Sequence, residues 1–135
     1  MRRVVLALLL CATPASAFAP SALVGSWFGT GQPEDRSEMY IDHFLPGGVF
    51  KAQHRWCRQG KAQDHAQTGR WSVKGDILTI NIATVSGKPE PRTDLYRLTS
   101  VDAKTQNYVA LPSNFPYHAR RMDPKFEMPS CDLSS

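Results

Sequence analysis

The chain has 135 residues, 41% hydrophobic and 21% charged, with 16 Lys and Arg against 12 Asp and Glu and a formal charge of +4 at pH 7. That is enough for one domain and short for two. It excludes a coiled-coil or collagen repeat and a mostly disordered chain.

The first element in chain order is an export signal. Met1-Arg2-Arg3 is a basic start, Val4 to Leu10 is an apolar run too short to span a membrane, and Ala15-Ser16-Ala17 is a small-x-small cleavage site before Phe18. Residues 1–17 therefore read as a secretory signal peptide, and residues 18–135 as one domain delivered to the periplasm or secreted. Cys11 raises a lipoprotein as the alternative, but Leu10 stands where lipid attachment wants a small residue. Cleavage near Ala17 leaves 118 residues and removes Arg2 and Arg3, so 14 basic residues face 12 acidic ones and the formal charge falls to +2. A balance so close to neutral gives no footprint for nucleic acid. Of three cysteines, Cys57 and Cys131 remain. An even pair in an exported chain reads as one disulfide, and closing a loop of roughly 75 residues stabilises by about 4 kcal/mol on chain-entropy grounds. Two separate buried thiols are the alternative. Without any CxxC spacing, a metal site finds no support.

Beyond the signal, short runs rich in Val, Ile, Tyr, Phe, Trp and Thr alternate with turn residues at intervals typical of an all-β sandwich or barrel. Eight strands are predicted at roughly 23–29, 37–45, 49–58, 67–74, 77–85, 93–101, 106–112 and 115–122. No large helix is expected. In the second hairpin, a four-residue loop Pro46–Val49 sets Leu45 opposite Phe50, His43 opposite Ala52, Ile41 opposite His54 and Met39 opposite Trp56. That register puts Asp42, Lys51, Gln53 and Arg55 on the outer face. A two-residue Gly75-Asp76 turn pairs Val73 with Leu78 and Trp71 with Ile80. Eight sequential strands in an open sheet leave exposed edges, and closure into an antiparallel up-and-down barrel removes them. A barrel of that size has an interior that side chains fill or that holds one small ligand.

The segment Leu23-Val24-Gly25-Ser26-Trp27-Phe28 resembles the Gly-x-Trp signature of lipocalin-like (calycin-type) barrels. The resemblance implies that Trp27 plugs the closed end and that a basic residue near the last strand packs over it. Arg120 or Arg121 holds that position, and such a contact is a cation–π pair. The mature chain is shorter than a full lipocalin, and Pro124 and Pro129 make the tail extended where the family has a helix.

From this register the interior residues that line a ligand site are Met39, Ile41, His43, Phe50, His54, Trp56, Trp71, Ile80 and Tyr96. His43 and His54 fall on one face as diagonal neighbours, either a polar handle for a ligand or two hydrogen-bonded core histidines. His65 lies in a polar loop spanning 60–68. No nucleophile is spaced with a base, and no G-x-S-x-G occurs, so neither an enzyme nor a cofactor is expected. The leading expectation is a non-catalytic barrel binding a small apolar or amphipathic ligand. The alternative is an interaction module, such as a protease or lysozyme inhibitor, acting through the segments 30–38 and 86–91.

Overall fold

Alternation along each strand sets one row of side chains inward and the next outward, and the register of eight such strands closes on itself. A computed structural model describes residues 17–32 and 35–131. Apart from Ala17, the signal peptide read from sequence lies outside the described residues. The strands are β1 (Gly25–Gln32), β2 (Asp35–Phe44), β3 (Val49–Arg58), β4 (Lys61–Lys74), β5 (Ile77–Val85), β6 (Lys88–Val101), β7 (Thr105–Leu111) and β8 (Pro116–Met122). Each pairs antiparallel with its successor, and β8 returns to β1 through Ser26 opposite Met122 and Gly29 opposite Ala119. This is the all-β, eight-stranded up-and-down barrel expected from the strand spacing. Its helical content is one turn at Pro20–Leu23 and a 3-10 turn at Pro46–Gly48.

Strands β4 and β6 begin earlier than the sequence pattern suggests. Residues 61–66 are strand, not loop, so His65 pairs with His54 across the β3–β4 ladder. Residues 88–91 likewise belong to β6, which shortens the 86–91 segment to a tight turn. The Gly75-Asp76 hairpin has the expected register, with Trp71 opposite Ile80 and Val73 opposite Leu78.

The β2–β3 hairpin does not. Its pairs are Phe44 with Phe50, Asp42 with Ala52, Tyr40 with His54 and Glu38 with Trp56, one residue away from the expected register. The loop is longer than expected, Leu45 to Val49, because the Leu45 amide turns back to the Val49 carbonyl at 2.9 Å around the 3-10 turn. Leu45 is left exposed. A one-residue slip turns every β2 side chain to the opposite face. Tyr40, Asp42 and Phe44 therefore point inward.

Met39, Ile41 and His43 point outward, which corrects their placement in the interior. Met39 and Ile41 are nonetheless fully buried, because residues after β8 cross the outside of the barrel and cover them with Phe126 and Met128. Phe126 meets Phe28 edge-on at 5.3 Å, and Arg55 donates to the Pro129 carbonyl at 2.9 Å. The strap ends where Cys131 is bonded to Cys57 at the far end of β3, their Cα atoms 5.5 Å apart. Both faces of β2 thus carry buried side chains, for two different reasons.

Candidate functional site

One end of the barrel is sealed from its own chain terminus. Phe18 donates its amide to the Gly75 carbonyl at 3.0 Å, and the turn Pro20–Leu23 lays Leu23, with no exposed surface, across the bottom. The Trp27 indole packs inside the barrel from it and donates to the Leu23 carbonyl at 2.9 Å. Arg121 holds its guanidinium 4.3 Å from the Trp27 ring centre and donates to the carbonyls of Val24 at 2.6 Å, Ala22 at 2.8 Å and Ala103 at 2.9 Å. A side chain at position 25 would collide with that guanidinium, and Gly25 has a φ of +139°. Here the Gly-x-Trp pattern has a physical cause: glycine leaves the space in which arginine reaches over tryptophan. Of the two arginines read as candidates, Arg121 makes this contact and Arg120 points outward, exposed.

Above the plug, apolar side chains fill the lower half. Phe44 packs against Phe50 at 5.3 Å and against Trp71 at 5.4 Å, and Trp71 donates to the Leu45 carbonyl at 3.0 Å. Trp71 therefore belongs to the filled core below the open space.

The upper half is different. A lumen of about 70 Å³ remains, walled by Phe50, His54, Gln67, Ile80, Ile82, Tyr40, Tyr96, Tyr108 and Tyr117, with Glu38, Arg92 and Asp94 toward the mouth and Asp42 inside. Phe50, His54, Ile80 and Tyr96 are the sequence-predicted residues brought together there. Trp56 lies at the rim, 4.5 Å from His65, whose ring stacks on His54 at 4.9 Å. The expected His43–His54 pairing is replaced by His54–His65, because His43 is outside and bonded to the Ser26 hydroxyl at 2.7 Å. Tyr40, Tyr108 and Tyr117, unlike Tyr96, were not singled out by sequence reasoning. Tyr108 donates to the Tyr40 hydroxyl at 2.6 Å, stacks on Tyr117 at 5.2 Å and meets Tyr96 edge-on at 5.3 Å. Tyr40 crosses above Gly29, where any side chain would strike its ring.

Electrostatically, the lumen is dominated by Asp42. It sits between Trp27 of β1 and Ala52 of β3, so the small Ala52 side chain leaves space beside it. Asp42 is half-buried, and its accessible surface opens into the lumen. Among the described residues no donor bonds its carboxylate. Burial alone pushes its carboxyl up to about 7. Burial also raises the hydroxyls of Tyr40, Tyr96, Tyr108 and Tyr117, and the Asp42 charge adds to the effect at each. The His54 imidazole is pushed down to about 4, first by burial, then by His65 and Arg92. It is neutral at pH 7. Arg92 is occupied by Asp94, with contacts of 3.0 to 3.2 Å.

No group of three or more His, Cys, Asp or Glu side chains among the described residues is arranged to hold a metal. A wider groove of about 480 Å³ lies between β1 and β8 on the outside, where Arg36, His118 and Arg120 are all exposed. No helix among the described residues is long and apolar enough to cross a membrane. No protein-family model matches the chain, and no curated protein matches it in sequence.

Proposed function

We propose that the protein is an exported, non-catalytic, lipocalin-like barrel that takes up a small amphipathic molecule through its open end. The observation that carries this reading is the asymmetry of the interior. One end is plugged by Leu23, Trp27 and Arg121, while the other opens on a lumen that ends at an unpartnered polar group. A lumen of about 70 Å³ is small beside the cavities that enclose a whole drug-sized ligand. It suits the polar head of a ligand whose remainder lies against the aromatic mouth, and it is too small for a wholly enclosed apolar molecule. Export is supported by the Met1–Ala17 pattern and by a cysteine pair at bonding distance, which fits an oxidising compartment such as the periplasm. The alternative, an inhibitor acting through 30–38 and 86–91, would use strand residues for much of its contact, since 30–32, 35–38 and 88–91 are strand.

Native mass spectrometry of protein isolated from its own periplasm, without refolding, is expected to show an added small mass. A screen of amphiphiles by thermal shift is expected to find members that raise Tm. A bare protein mass together with no stabilisation by any amphiphile would sink the reading.

A further inference from the structure

The lumen has a carboxylate where a packed core would have a methyl group. Placing an acid at the end of an aromatic-walled lumen without a hydrogen-bond donor is costly, and such a group is a candidate ligand contact. The four acidic and basic groups lining the lumen are Glu38, Asp42, Asp94 and Arg92. Arg92 and Asp94 neutralise one another, leaving Asp42 inside and Glu38 toward the mouth as the acidic groups without a basic partner in the lumen lining. The walls are aromatic, and the π faces of Tyr rings attract cations most strongly where water is excluded. A hard metal ion needs six or more oxygen ligands, which one carboxylate among phenol rings does not offer.

We infer that the lumen is a seat for a small organic ammonium group, with Asp42 as the counter-charge and the rings of Tyr40, Tyr96, Tyr108 and Tyr117 as the surrounding cage. This rests on the proposal that the barrel takes a ligand through its mouth, and it names the ligand's chemical class. The ammonium donates a charge-assisted hydrogen bond to the Asp42 carboxylate, and the hydrocarbon part of the ligand leaves past Ile82 and Tyr117. A primary alkylammonium is favoured over a quaternary one, which has no N–H to donate to Asp42. Because the Asp42 carboxyl is pushed up to about 7, a bound cation displaces a proton at lower pH. Affinity is expected to fall about tenfold for each unit below about pH 7. The titratable and charged groups facing Asp42 are Glu38 and Tyr40 on β2, His54 on β3, His65 on β4, Arg92, Asp94 and Tyr96 on β6, Tyr108 on β7 and Tyr117 on β8.

The test is calorimetric titration of the oxidised protein with hexylammonium, tetramethylammonium, hexanol and hexanoate between pH 5 and 8, with amide NMR shifts locating the site. Hexylammonium is expected to bind tightest, to shift the amides of β2, β6 and β8, and to weaken as pH falls. Asp42→Asn is expected to lower its affinity by at least about tenfold and to abolish the pH dependence. The selectivity series and the pH profile of the unaltered protein stand even where Asp42→Asn does not fold. Hexanol or hexanoate binding in the lumen as well as hexylammonium, or an Asp42→Asn variant with undiminished affinity, overturns the ammonium seat while leaving a ligand-binding barrel. Failure of all four probes overturns the ammonium seat too, and the native mass spectrum then decides the broader reading.

Discussion

Asp42 and His54 face the same lumen and respond to burial in opposite directions. Asp42 is raised to about 7 from 3.8, so the stability it contributes is full below the unfolded value and is lost as pH rises through about 7. His54 is lowered to about 4 from 6.5, so its contribution is present above the unfolded value and is lost as pH falls through about 4. Between pH 4 and 6.5 the two slopes oppose each other, each at most about 1.4 kcal/mol per pH unit. Urea unfolding across that window is therefore expected to show these two contributions offsetting each other, with the lowered His43 and His65 adding stability that rises with pH. Asp42→Asn should unmask stability that rises with pH, and His54→Gln stability that falls. Parallel profiles for the two variants would refute the assignment. The inward place of His54 was legible in the sequence, but that of Asp42 was not, because a single-residue change of register decides whether position 42 faces water or the lumen.

At the scale of elements, the closed end depends on one arginine reaching across from β8 to three carbonyls and the Trp27 ring. Arg121→Met should cost roughly 3 kcal/mol, because it leaves carbonyls without their charged donor. Arg120→Met on the exposed face should stay within about 0.5 kcal/mol of the unaltered protein. Equal losses in chemical denaturation would mean that the bottom seal does not rest on Arg121. The Gly-x-Trp pattern made Trp27 visible in the sequence, and neighbouring Arg120 and Arg121 were indistinguishable there only because alternation needs a known register to assign faces. The Gly75-Asp76 hairpin was readable in full, since a two-residue turn leaves no freedom in pairing. The β2–β3 hairpin was misread for the converse reason. Its loop contains a 3-10 turn of variable reach, and Met39 and Ile41 supplied a second apolar face that pointed to the wrong register.

For the whole molecule, the strap of residues 123–131 joins the end of the last strand to the far end of β3 through Cys57 and Cys131. Cys131→Ser is expected to lower stability by about 4 kcal/mol on loop-closure grounds. It should also expose Phe28, Met39 and Ile41, seen as increased binding of a hydrophobic dye and faster proteolysis near Phe126. A variant as stable and as protease-resistant as the parent would show that the strap holds without its covalent end. The resemblance to the Gly-x-Trp signature pointed to the tryptophan at the sealed end, while composition, spacing and turn chemistry determined an all-β chain of eight strands and its closure into a barrel. Those features follow from local alternation and from the cost of unpaired strand edges, which any short window of sequence records. Only the tertiary structure decided what the barrel contains. The covering of β2 by a distant tail, the pairing of His54 with His65, and the placing of Asp42 among four tyrosines all depend on residues far apart in the chain. Their contacts are set by register and packing, which alternation within one strand cannot encode.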